Sequence, residues 1–162
     1  MSDDLPQAEA LHVAEGYGLG EVGEKHMSLS DVFARFGSER SWWIATTHPD
    51  GSPHVMPVWG VYVDEQLLFS SDPHARKSRN LDANSRIVVH LESGDQVAIV
   101  EGVAVIAPGA DVPAGFTDAY NKKYGFEVDT SDPAFRFYRV EPTKVFSWDE
   151  GDFVDTAARW RF

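Results

Sequence analysis

At 162 residues the chain has the length of one domain, long enough to bury roughly 70% of its unfolded surface in a core without covalent staples. It contains no cysteine, which excludes disulfides, thiolate metal sites and cysteine nucleophiles and points to a reducing, cytoplasmic setting. A formal net charge of −12 at pH 7 argues against general affinity for nucleic acid or anionic membranes, because neutralising phosphates takes cationic surface.

The N-terminus, Met1-Ser2-Asp3-Asp4, lacks the basic and apolar regions of a signal peptide, and no apolar run reaches the length of a membrane span. A soluble intracellular protein is expected. Residues 1–27 are acidic and glycine-containing with little periodicity, and read as a flexible arm ahead of a single domain over 28–162. Gly16-Tyr17-Gly18-Leu19-Gly20 has no strand before it and is taken as part of that arm, not as a nucleotide loop.

Ser28 to Gly37 reads as a short helix. Leu29, Val32, Phe33 and Phe36 recur at helical spacing, Ser28 suits the N-cap and Gly37 the end. From Ser41 the pattern turns to β. Ser41 to Thr47 is a strand, His48 to Ser52 a turn, Pro53 to about Val63 a second strand, Asp64-Glu65 a turn and Gln66 to Ser71 a third strand. A helix capped by Asp72, with Pro73 in its first turn, would start just before Arg76 and end near Asn84.

Arg86 to Glu92 and the long run Gln96 to Ile106 return to strand, with Gly102 a bulge or close-approach point. A helical segment around Thr117 to Tyr124 ends at Gly125, and Phe135 to Val140, Lys144 to Trp148 and Arg159 to Phe162 look extended. So many short antiparallel strands predict a mainly β fold with a few short helices, and a closed or nearly closed barrel hides the edges most economically.

Positive charge is rationed along the chain and concentrated at one place. Arg76, Lys77, Arg79 and Arg86 fall within eleven positions, while the first twenty-four residues hold no Lys or Arg. Guanidinium forks, an ammonium and the free N–H groups of a helix start converge well on a phosphate. The other reading of such a cluster is a solvated helix face. Pro57 cannot donate to a ladder, and Gly60 lets something approach the backbone closely. The strand holding them is therefore either an ordinary edge or one whose free backbone groups read a flat heterocycle.

The six histidines form no HExxH, HxH or related ligand pattern, so no metal site is expected and no axial haem ligand stands out. No GxSxG elbow, Walker loop or GxGxxG fingerprint is present.

The ordered series Asp50-Gly51-Ser52-Pro53-His54, Pro57-Val58-Trp59, Phe69-Ser70-Ser71, Arg76-Lys77 with Asn80-Leu81, and Gln96-Val97 before Glu101-Gly102 resembles the pyridoxamine 5′-phosphate oxidase-like superfamily. It is most like the actinobacterial branch of flavin- and deazaflavin-dependent oxidoreductases. The resemblance covers about residues 28–162. It implies a split β-barrel, antiparallel and Greek-key-like, in a homodimer with cofactors at the subunit interface.

By that resemblance Met56, Pro57, Val58, Trp59, Gly60 and Val61 lie along the ring of the cofactor. Ser70, Ser71, Arg76, Lys77 and Asn80 belong to its phosphate end, and Gln96 approaches the ring or ribityl chain. Trp148 matches an aromatic that the second subunit supplies, with Arg159 near it. Arg79 and Asn80 would extend the anchor towards the tail of coenzyme F420, which is read ahead of FMN.

The resemblance has limits that bear on activity. Met56 and Val61 stand where the oxidase has an arginine and a lysine, and the chain ends Arg159-Trp160-Arg161-Phe162 in place of the oxidase's basic motif. Vitamin B6 oxidation is not expected. The expected activity is hydride transfer from reduced F420 to a small electron-poor acceptor. FMN-dependent chemistry is the alternative, and a non-catalytic flavin, F420 or haem carrier the alternative of another class. His54 and Tyr62 are the candidates for a proton donor, with no catalytic residue assigned.

Overall fold

The segments marked by patterning, with one further short helix over Phe153–Thr156 that patterning did not mark, give eight strands and four short α-helices among the described residues of the computed structural model of the chain, residues 5–14, 16 and 20–162. Tyr17 to Leu19, the middle of the glycine-rich stretch, lie outside the described residues, as do Met1 to Asp4 and Glu15.

Helix α1 (Leu29–Ser38) starts at Ser28, whose hydroxyl accepts the Asp31 N–H at 3.1 Å. It buries Leu29, Val32, Phe33 and Phe36 against the barrel interior. Each such burial contributes about 1.5–3 kcal/mol. A ten-residue helix is marginal alone, so this apolar face holds it in place.

Strands β1 (Trp42–Thr47), β2 (Pro53–Val58), β3 (Gly60–Val63) and β4 (Gln66–Ser71) follow, with Asp64 and Glu65 both at positive φ in the β3–β4 turn. Then come α2 (Arg76–Ala83), β5 (Arg86–His90), β6 (Gln96–Ala107), α3 (Phe116–Tyr124), β7 (Arg136–Asp149), α4 (Phe153–Thr156) and β8 (Ala158–Arg161). All pairings are antiparallel, in the order β2-β1-β5-β6-β7-β4-β3, with β8 on β7.

The single strand expected over Pro53 to Val63 is broken at Trp59. Its first half pairs with β1 and its second with β4, so the two ends of the sheet meet at Trp59 and the sheet curls into a split barrel. Trp42, Ile44, Leu67, Phe69, Val89, Val100, Tyr138 and Val145 face inward with α1 in the main core. A second cluster forms where Phe116 and Tyr120 of α3 pack on Val61, Leu68 and Phe137, outside β3 and β4.

Two further expectations change. The extended segments on either side of Pro142 form one fourteen-residue strand, β7. Pro142 lies opposite the register shift at Glu101/Gly102, where an interrupted ladder tolerates a residue without N–H. Gly102 is needed there because a Cβ would collide with the Glu141 carbonyl. Helix α2 begins at Arg76 after Ala75, not at Asp72. The Asp72 carboxylate instead accepts the His74 N–H at 2.7 Å, and its carbonyl accepts Ala75 N–H and Ser78 Oγ–H at 3.0 and 2.7 Å. That turn satisfies Asp72 locally and delays the helix.

The described part of residues 5–27 touches the barrel at several points. Glu9 and Arg159 exchange backbone hydrogen bonds of 2.7 and 2.9 Å, and Lys25 pairs with Asp152 and Asp155 at 3.0 and 2.8 Å. Among the described residues no helix is long and apolar enough to cross a membrane.

Candidate functional site

Because β2 pairs only with β1, and β4 pairs with β3 only as far as Phe69, two strand edges are left facing across the split: the end of β2 and Ser70-Ser71 of β4. A cleft of about 330 Å³ opens between them, lined by Pro57, Val58, Trp59, Ser70, Ser71, Asp72, Lys77, Tyr120, Phe126 and Phe135. The barrel topology therefore brings together residues from four separate segments. Backbone groups on the free side of β2 have no ladder partner, which suits them to the polar rim of a flat ligand.

One end of the cleft is polar. Lys77 reaches it from the first turn of α2, where helical N–H groups lack intrahelical acceptors, and Arg76 stands beside Lys77, exposed. Behind them Asn80 is fully buried, and its Nδ2 donates to Thr46 Oγ1 at 3.1 Å. Asn80 thus ties α2 to β1 and is not open to a ligand, so of the two residues expected to extend the anchor only Arg79 stays exposed. His54 lies on the same side, with Nδ1 3.4 Å from Thr46 Oγ1. Burial, then the charges of His48, Lys77 and Arg76, hold its imidazole below the ordinary value.

The other end is aromatic. Trp59 and Phe126 are among the few exposed large apolar side chains. The Trp59 ring stacks on Tyr124 at 4.5 Å and 3°, with Tyr120 tilted against both. Tyr120 is buried, and burial raises its phenol while a hydrogen bond with Ser70 acts the other way. Of these aromatic residues Trp59 was expected at the site, whereas Tyr120, Tyr124 and Phe126 were not singled out from the sequence. The signal was there in Phe116, Tyr120 and Tyr124, spaced by four on one face of α3.

The remaining candidates divide. Met56 is exposed on β2 next to the cleft. Gly60 faces the main core, so close to Trp42 that a Cβ would collide with the indole, while Val61 is buried on the opposite side under α3, so neither presents a side chain to the cleft. Tyr62 stacks on Phe33 at 5.7 Å and lines a different cavity, away from the cleft.

Gln96, Trp148 and Arg159 gather elsewhere. Val97 pairs with Trp148, and Phe146 pairs with Arg159. Ser71 pairs with Arg136, so Trp148 lies twelve residues, roughly 40 Å of strand, further along β7. Trp148 Nε1 donates to Glu150 at 3.0 Å, and Arg159 is paired with Glu9 at 3.1 Å. The Gln96 carbonyl accepts from the Arg35 guanidinium. No group of three or more His, Asp or Glu among the described residues is placed to hold a metal ion.

The sequence model of the family described as pyridoxamine 5′-phosphate oxidase matches residues 30–149, more than half of the chain. No curated protein matches it in sequence. Among solved structures, the conserved hypothetical protein Rv2991 from Mycobacterium tuberculosis is similar over 78% of this chain and 87% of its own, at 25% identity and a TM-score of 0.64. An F420 reductase is similar over 68% and 93%, at 22% identity and a TM-score of 0.53. A pyridoxamine 5′-phosphate oxidase-related, FMN binding protein from Nostoc punctiforme is similar over 75% and 81%, at 14% identity and a TM-score of 0.52. At those identities the last two speak for the fold alone.

Proposed function

The chain belongs to the pyridoxamine 5′-phosphate oxidase family, and from that premise we propose that it is an oxidoreductase that binds reduced coenzyme F420 in the split of the barrel and passes a hydride to a small electron-poor organic acceptor. The observation that carries this reading is the joining in one cleft of a free strand edge, Pro57 to Trp59, two serines and a lysine from a helix start. A flat ring with a phosphate-bearing tail needs those two kinds of surface side by side.

When bound, the cofactor supplies the hydride. The chain's residues do the rest. Arg76, Lys77 and Ser71 hold the phosphate, the β2 backbone orients the ring, and Trp59, Tyr120 and Phe126 keep water from the acceptor side. The fold of an F420 reductase supports F420, and that of an FMN binding protein supports FMN as the second reading, since both cofactors present a flat ring and a phosphate. A non-catalytic carrier would use the same residues.

The cofactors are told apart by titrating the purified chain with each. F420 is expected to bind more tightly, and tight FMN binding with no F420 binding would sink the first reading. Replacing Arg76 and Lys77 together with Ala should weaken binding at least a hundredfold with unchanged circular dichroism, whereas unaltered affinity would refute their role. Turnover of reduced cofactor with quinones or enones separates an enzyme from a carrier.

A further inference from the structure

Helix α3 does more than cover the second core cluster, because its last two residues reach the strand break that forms the cleft's edge. The Tyr124 hydroxyl accepts the Gly60 N–H at 2.8 Å and lies 2.7 Å from the Gly60 carbonyl and 2.9 Å from that of Arg40. The Lys123 ammonium donates to the carbonyls of Gly60 and Phe36 at 2.7 and 3.1 Å, and sits 5.3 Å from the centre of the Trp42 ring and 5.4 Å from that of Tyr124. On its other side Gly60 is pressed against Trp42. The backbone at the point where the strand leaves β1 for β4 is therefore held from both sides.

We infer that Lys123 and Tyr124 are positioning residues of the cleft: they fix the Trp59–Gly60 backbone so that Trp59 presents a flat ligand with one stacking face. The other face is already taken by the Tyr124 ring, parallel at 4.5 Å, and the side chain of the exposed Arg40 also lies against the indole, its guanidinium carbon 5.7 Å from the ring centre. The inference rests on the reading of this cleft as a site for a planar cofactor. Its physical content is preorganisation. An edge strand with a ladder on one side only would otherwise be ordered at the expense of binding energy. Lys123 and Tyr124 touch neither the polar end of the cleft nor any residue assigned there, so they act through Trp59 and Gly60.

The test uses the full chain as wild type, Tyr124→Phe and Lys123→Met. Amide exchange at Gly60 is followed without ligand, and F420 and FMN are titrated separately by tryptophan fluorescence. Both variants should exchange Gly60 at least tenfold faster, with β6 and β7 unchanged, and should bind whichever cofactor the wild type binds about tenfold more weakly. Wild-type protection at Gly60, or faster exchange with unaltered affinity, overturns the inference, because a purely structural contact would leave affinity alone. Should Lys123→Met not fold, Tyr124→Phe decides, since it removes one oxygen and keeps the ring. If the wild type binds neither cofactor, the functional reading fails. The clamp is then judged on Gly60 exchange and on acrylamide quenching of Trp59 against a Trp59→Phe control, where equal quenching in variant and wild type overturns it.

Discussion

Lys123 shows how a half-buried cation can serve a structural purpose and leave a pH signature. Burial lowers its pKa from the ordinary 10.5 to about 8, with the nearby Glu39 carboxylate acting against the fall. Arg40, Tyr62, Lys122 and Tyr124 are the other titratable groups around it. Between pH 8 and 10.5 the unfolded chain holds a proton on Lys123 that the folded chain does not, so stability contributed by this residue rises with pH across that window. Below pH 8 both states are protonated and the contribution is constant. A neutral amine still has two N–H groups for two carbonyls, so the clamp outlasts the charge. The stability of wild type relative to Lys123→Met, from urea melts at pH 7, 8, 9 and 10, should therefore climb above pH 8, and a flat difference would contradict the half-buried ammonium. From sequence, Lys122-Lys123 reads only as favourable charge at a helix C-terminus. Nothing in the pair told which lysine would be half-buried.

At the scale of elements, the boundaries that follow from side-chain chemistry were legible and those that follow from pairing were not. Ser28, the apolar repeat through Phe36, and Gly125 at positive φ mark helix ends with local physics. Ser28→Ala should accordingly cost about 1 kcal/mol in chemical denaturation, with a loss below a few tenths showing that Asp31 is satisfied without the cap. Asp72 looked equally good as a cap. It was outcompeted by a turn that uses both its carboxylate and its carbonyl. The break at Trp59 and the continuity of β7 through Pro142 depend on which neighbours each strand finds, β1 then β4 in one case and the Gly102 bulge in the other. Those neighbours are distant in sequence, so no local pattern announces them.

For the whole molecule, the separation of the candidate residues into two groups bears on assembly. Pro57 to Lys77 meet in the split, while Gln96, Trp148 and Arg159 sit far along the β6–β7 ribbon. If both groups serve one cofactor, a second copy must bring the far group to the cleft. The outer sheet face, with Trp43, Val88, Ile99, Val103 and Phe146 only half-buried in the single chain, offers the surface for it. Light scattering at micromolar concentration should report a dimer, and a monomer would contradict the shared site. The sequence by itself determined the β-rich barrel, the helix ends at Ser28 and Gly125 and the basic cluster at Arg76-Lys77 that is proposed as the anchor, because periodicity, capping and charge act within a few residues of one another. Only the tertiary structure decided that Asn80 is buried behind that anchor, that α3 walls and clamps the cleft, and that Trp148 stands apart from it. Each of those depends on strand partners chosen across the barrel, where burial and closure outweigh local preference.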